Sequence, residues 1–189
     1  MMLVLIRHGK TAANENHLYC GKTDLELSEN GRNELKNLKY DKSLFDPSEM
    51  SVLTSGMKRC EQTLELLFGE VPHEADPDFR EMDFGAFEMR SYAELKADPD
   101  YIAWISGDNE ANIAPGGESG EMMRSRVMEG LDRLTASGRD TLLVAHGGVI
   151  ALIMASLFPE ENKNRYEWQP APGGGYAVSL TDRSYSALP

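Results

Sequence analysis

The sequence predicts an α/β fold, a three-layer sandwich in which a mostly parallel central sheet is flanked by helices. Three observations point there. Short apolar runs at residues 3–6, 51–54 and 140–145 have the length and composition of buried strands. Stretches of helical period follow the second and third of these runs. And 189 residues suit one domain, which at that size buries roughly 70% of its unfolded surface. Strand, loop and helix in alternation are the pattern of a layered α/β domain.

The elements follow in order. Leu3, Val4, Leu5 and Ile6 make the first strand, which ends in Arg7, His8 and Gly9. Ser28 caps a helix running to about Lys39, with Glu29 in its first turn and Leu35 and Leu38 on one face. Residues 51–54 are the second strand. Ser55 is then a candidate N-cap for a helix over 56–68, with Met57, Cys60, Leu64, Leu67 and Phe68 as its apolar stripe. Pro72 and Pro77 punctuate a loop, and the irregular stretch 79–87 carries Glu81 and Asp83, with Glu88 just beyond. Short helices are expected over 91–96 and 101–105, and a glycine-bearing loop over 107–117. Ser119 opens a long helix to about Ala136, with Met123, Val127, Leu131 and Leu134 inward. The third strand ends in His146-Gly147-Gly148, and an apolar helix follows over 149–158. Residues 159–175 read as a loop and 176–180 as the last strand, with only a short tail after it. The whole chain, 1–189, is expected to be one domain, with about 82–117 and 159–175 as capping loops.

Lysine and arginine number 19 against 31 acidic residues, a formal net charge of −12. That field opposes nucleic acid and anionic membrane surfaces, but a local basic pocket still admits an anionic ligand. Cys20 and Cys60 lack metal or redox spacing and read as free thiols of a reducing compartment. There is no apolar run of about 18 residues to span a membrane, and the N-terminus has no basic leader. The expectation is a cytoplasmic protein acting on a small molecule, with no nucleic-acid or membrane partner. Its oligomeric state is left open, a dimer included.

The informative coincidence is positional. The first strand ends in Arg7 and His8, the second in Ser55 with Arg59 one helical turn on, and the third in His146 before a Gly-Gly helix start. Ligands of open α/β sheets bind beyond the carboxyl ends of the strands, so on a mostly parallel sheet these groups meet at one edge. Helix N-termini favour anions, and the arginine fork fits phosphate oxygens. Two arginines, two histidines and a helix start describe a phosphate site. Each also has a plainer reading taken singly: a strand-end histidine satisfied in the core, a surface arginine, a serine that only caps a helix.

Five strings now carry a resemblance: LVLIRHGKT with Asn14 beyond it, TSGMKRCEQT, REMDFG, PGGES and VAHGG. Their order and spacing over roughly residues 3–155 resemble the histidine phosphatase superfamily, the phosphoglycerate-mutase-like group. The stretch 21–28 is similar to small bacterial phosphatases of that group related to α-ribazole phosphatase. The resemblance implies a phosphoglycerate-mutase-like fold and a set of roles. His8 matches the nucleophile that becomes a phosphohistidine. Arg7 and Arg59 match the arginines that hold the phosphoryl oxygens. His146 matches the histidine that stabilises the transferring group, and Asn14 and Gly147 join the phosphate contacts. Glu81 matches the acid that protonates the leaving oxygen and then activates water, with Asp83 and Glu88 as rivals. No metal and no cofactor are implied, because arginines and histidines supply the positive charge.

Lys10 departs from the family pattern, in which an acid or its amide is usual there. It stands with Gly21 and Thr23 as a candidate for the substrate pocket. Lys163, Arg165, Tyr166 and Trp168 in the late loop are either solvated or part of a lid. Mutases of the family carry an insertion after the acid region and a longer tail, and this chain is compact. The resemblance therefore implies a metal-independent phosphatase that hydrolyses a small phosphomonoester, α-ribazole 5'-phosphate-like or a sugar phosphate. The alternatives are a phosphoglycerate mutase-type phosphotransferase and, prompted by Lys10, a catalytically quiet phospho-ligand-binding module.

Overall fold

The computed structural model describes residues 1–40, 44–107 and 110–189. A six-stranded sheet runs through it, built from β1 (Met2–Arg7), β2 (Ser51–Thr54), β3 (Glu74–Ala75), β4 (Thr141–Ala145), β5 (Gly175–Ser179) and β6 (Ser184–Leu188). The strand order is β3-β2-β4-β1-β5-β6. β1 to β4 run parallel, whereas β5 pairs antiparallel with β1, and β6 with β5.

The apolar runs became the central strands because parallel strands are covered on both faces. Successive side chains of a strand point to opposite faces, and here they feed two cores. Leu3, Leu5 and Leu143 pack with α6 (Gly120–Ser137) and α7 (Gly147–Leu157), through Val127, Leu131 and Ile150. Val4, Ile6, Leu142 and Val144 pack on the other side with Cys60 and Leu64 of α3 (Lys58–Phe68). Helix, sheet, helix is the three-layer arrangement the sequence predicts. Among the described residues no helix is long and apolar enough to cross a membrane.

Several boundaries differ. A four-residue helix, α1 (Ala12–Glu15), was not expected; Thr11 caps it in a reciprocal pair with Asn14. The helix capped by Ser28, α2 (Glu29–Asn37), stops short of Lys39, because Leu38 turns extended. Ser55 does not cap α3: Met57 holds that position without a side-chain bond, and Ser55 faces inward. The short helices are α4 (Tyr92–Leu95) and α5 (Pro99–Ile105), the second capped by Asp98 and begun by a proline. Ser119 caps α6 as expected, and Gly138 ends it at φ +66. The last apolar helix, α7, starts at Gly147, two residues early, so His146 itself occupies the N-cap position. The expected tail is in fact β6, an edge strand whose only buried residue is Leu188. The loop expected over 107–117 includes residues 108 and 109, which lie outside the described residues.

Part of the stretch 82–117 builds a small core of its own. Phe87, Leu95, Tyr101 and Ala114 are buried together, with Tyr19, Phe84 and Trp104 against them. Trp168 of the late loop is not a lid residue: it is 1% exposed and joins the main core.

Candidate active site

The parallel pairing of β1 with β4 puts Arg7 beside Ala145. The next residue continues the ladder, with the His8 N–H on the Ala145 carbonyl at 3.0 Å. Register alone therefore sets His8 next to His146, and their rings meet edge to face, 5.1 Å between centroids. A 138-residue separation in sequence closes into one contact.

His8 is 6% exposed. Its Nδ1 lies 2.7 Å from the Gly9 carbonyl. A carbonyl only accepts, so Nδ1 carries the proton and Nε2 keeps its lone pair. Burial first, then the charges of Arg59 and Arg7, pushes this imidazole down to about 3. The ring is neutral at physiological pH, as a nucleophile must be.

His146 is fully buried. Arg59 Nε donates to its Nδ1 at 3.3 Å, so Nε2 bears the proton and donates to Ser55 Oγ at 2.8 Å. The Ser55 hydroxyl passes on to Cys60 Sγ at 3.2 Å. Burial, followed by the Arg59 charge, holds His146 well below its ordinary value. Ser55 is thus an orienting partner of the second histidine.

Arg59 is 1% exposed. A buried guanidinium persists only where its donors are met. Its two terminal nitrogens reach the carbonyls of Thr23 at 2.9 Å and Gly21 at 2.8 Å. Of its five N–H groups, three are engaged among the described residues, and two on the terminal nitrogens are not. Gly21 and Thr23 therefore serve through their backbone carbonyls. No side chain fits at Gly21, where a Cβ would stand 1.5 Å from the Met82 carbonyl oxygen.

Arg7 donates through Nη1 to the Pro170 carbonyl at 2.8 Å, while its buried Nε has no hydrogen-bond partner among the described residues. Burial lowers its pKa, and Glu81 opposes that shift. Its guanidinium lies where a side chain on Gly147 would stand, 3.1 Å from the Cβ position. A glycine there lets arginine and helix N-terminus converge. Glu81 closes the group: its carboxylate accepts the Gly148 N–H at 3.0 Å and the Met82 N–H at 3.0 Å. The chain beneath Glu81 is tied to α6 by Arg126, which donates to the carbonyls of Asp78, Arg80 and Glu81 at 2.8, 2.6 and 3.1 Å and pairs with Glu118.

A cavity of about 510 Å³ reaches this cluster through Arg7, Glu81 and Gly147, while His8, Arg59 and His146 are buried behind its wall and are not among its lining. Arg7, Asn14, Glu81, Gly147 and Gly148 form its polar end, and Tyr19, Phe84, Tyr101, Trp104 and Tyr166 its aromatic end. Of the three rival acids, Glu81 alone is on the wall. Asp83 pairs with Lys22 at 3.1 Å, and Glu88 is engaged by the 21–23 loop. Asn14 reaches the wall, although its side-chain oxygen is committed to the Thr11 cap at 2.9 Å. Lys10 is drawn away from the cavity by Glu34 on α2, Nζ to Oε1 2.8 Å. Lys163 turns to the sheet edge, 4.1 Å from the Trp168 ring centroid, whereas Arg165 and Tyr166 line the cavity.

The aromatic end was not legible as a group, since its five members come from four separate places in the chain, Tyr101 and Trp104 sharing α5. Arg126 and Gly148 were missed as well; the second glycine of the Gly-Gly pair was the available signal.

Comparison with known proteins decides what this arrangement belongs to. The model of the histidine phosphatase superfamily, branch 1, matches residues 3–187. The chain belongs to that superfamily. Among relatives of this histidine phosphatase, an adenosylcobalamin/alpha-ribazole phosphatase of Escherichia coli is 33% identical over 189 residues, spanning 97% of this chain and 92% of its own. A 2,3-bisphosphoglycerate-dependent phosphoglycerate mutase of Xanthobacter autotrophicus is 32% identical over 181 residues, spanning 84% and 83%. The crystal structure of the alpha-ribazole phosphatase of Shigella flexneri superposes with a TM-score of 0.81 at 29% identity, covering 100% of this chain and 95% of that one.

Proposed function

We propose that this chain is a metal-independent phosphomonoesterase that works through a phosphohistidine on His8. The observation that carries the reading is the neutral His8 ring, with its Nδ1 proton tied to Gly9 and its Nε2 lone pair left for attack. In the first half-reaction, Nε2 forms a bond to phosphorus while the ester oxygen leaves with a proton from Glu81. Arg59, Arg7 and the N-terminus of α7 surround the three phosphoryl oxygens, where charge develops, and His146 holds Arg59 in place beneath them. In the second half-reaction the Glu81 carboxylate takes a proton from water, and the hydroxide displaces His8 to release inorganic phosphate. Asn14 adds its free amide N–H to the same oxygens.

The leaving group lies in the aromatic end of the cavity. The aromatic side chains of Tyr19 and Trp104, with Tyr166 at the rim, suit an alcohol that carries a heteroaromatic ring. The relatives named for alpha-ribazole support an α-ribazole 5'-phosphate-like substrate, and a sugar phosphate is the simpler member of the same class. A phosphoglycerate mutase must hold a second anionic group at the far end. The cation there, Arg165, is already paired with Glu110 at 2.5 Å, which favours the phosphatase. Free thiols at Cys20 and Cys60 support a reducing, cytoplasmic setting.

A panel of phosphorylated metabolites, read as free phosphate, tests this. Hydrolysis is expected to be fastest for nucleoside-like esters. Isomerisation of 3-phosphoglycerate outpacing phosphate release would select the mutase, and phosphate binding without any turnover the quiet binding module.

A further inference from the structure

The loop that holds Arg59 is itself held by one side chain. Glu88 follows the single helical turn Gly85–Phe87. Its carboxylate accepts three successive backbone N–H groups, those of Gly21 at 2.9 Å, Lys22 at 3.0 Å and Thr23 at 3.2 Å. It also accepts the Thr23 hydroxyl at 2.5 Å and the Phe84 N–H at 3.1 Å. Five donors on one group call for an ionised carboxylate, which is acceptor-only. The amides of the loop are drawn to Glu88, and the carbonyls of Gly21 and Thr23 are given to the Arg59 terminal nitrogens. The close approach at Gly21 to the Met82 carbonyl keeps the loop against the segment that carries Glu81.

We propose that Glu88 is a positioning residue for phosphoryl transfer: it holds the 21–23 loop so that its carbonyls aim the Arg59 guanidinium at the phosphoryl oxygens. This rests on the reading in which Arg59 grips that group. Glu88 touches neither substrate nor His8. Without its carboxylate, three neighbouring amides lose their common acceptor, and Arg59 keeps only His146 as a fixed partner. An amide at this position is a poor substitute, since its NH2 would face the N–H groups of the loop.

The test is a double-mutant cycle on Glu88→Gln and Arg59→Ala, read as kcat and KM for p-nitrophenyl phosphate and as Kd for orthovanadate, with thermal unfolding to register the folded state. Outer partners of a ligand-holding side chain are typically worth about 10- to 100-fold, so Glu88→Gln should lower kcat/KM and weaken vanadate binding by that factor. In the Arg59→Ala background the same change should cost less than about twofold, because residues that act through one another are not additive. Glu88→Asp, which keeps the charge, should recover part of the loss and repeats the cycle if the glutamine variant unfolds. Equal fold-losses in both backgrounds would overturn the proposal, as would a lowered unfolding temperature with vanadate affinity unchanged. Full activity in Arg59→Ala alone would instead remove the assignment of Arg59 on which the proposal rests.

Discussion

The two ends of the cavity are built differently. Behind the polar end, His8 and His146 stand beside Arg7 at or just beyond the ends of neighbouring parallel strands, and backbone pairing sets their places. Three of the five Arg59 N–H groups are committed to His146 and to backbone carbonyls, and the His146 ring is held between Arg59 and the Ser55 hydroxyl. At the aromatic end, a separate small core of Phe87, Leu95, Tyr101 and Ala114 supports a wall drawn from several loops and short helices, and Tyr166 stands 67% exposed at its edge. The difference teaches where each property resides. On the proposed reading, reaction type is lodged in sheet register, which tolerates little change. Choice of leaving group is lodged in loops packed on one another, which can vary without moving the strands.

If that division holds, substitutions at the polar end should fall on kcat and those at the aromatic end on KM. The largest effect is expected for Glu81→Gln. General acid–base groups contribute about 10²- to 10⁴-fold, so hydrolysis of an alkyl phosphate should drop by that range. Loss on p-nitrophenyl phosphate, whose leaving group needs little protonation, should be far smaller; equal losses would remove the acid role.

Next in size is the pH dependence of stability. His8 and His146 both have folded pKa values below the unfolded value of about 6.5. The unfolded chain binds protons there that the folded chain refuses. Stability is therefore complete above pH 6.5 and falls as pH drops below it, by about 1.4 kcal/mol for each pH unit down to about 3 for His8 and in the same direction for His146. Between pH 6.5 and 5 the carboxylates hardly titrate, so unfolding temperatures in that window isolate the histidines. His8→Asn should reduce the slope.

A smaller effect belongs to the aromatic end. Tyr166→Ala should raise KM about two- to tenfold for a heteroaromatic phosphomonoester, the value of one ring contact, with kcat unchanged. A glycerol phosphate has no ring to stack and should show no shift. The smallest belongs to Lys10→Ala. Its pairing with Glu34 is a half-exposed surface contact, worth at most about 1 kcal/mol of stability, so any change in activity should stay below about fivefold. A large loss would return Lys10 to the pocket and revive the reading in which it rewrites the site.

The same contrast explains what was legible in the sequence. β1, β2 and β4 are buried parallel strands, and burial on both faces writes itself as an apolar run. β3 has two residues, both exposed, and β6 mixes Ser, Tyr and Ala on an open edge, so neither left such a run. His8, Arg59 and His146 were legible because strand ends and helix starts place them. Ser55 was misplaced as a cap because its partners, His146 and Cys60, are matters of tertiary contact. Glu88 and Arg126 act on backbone groups 65 to 67 and 45 to 48 residues away, and no local spacing records such a contact. Lys10 read as part of the pocket because its partner, Glu34, lies on α2, 24 residues away.

The central claim is a covalent bond between phosphorus and His8. Rapid quench of the enzyme with substrate labelled on phosphorus, followed by peptide mapping, tests it most directly. The account predicts a base-stable, acid-labile label on His8 that appears before free phosphate and is absent in His8→Ala. Label on any other side chain, or steady turnover by the His8→Ala protein, would contradict it.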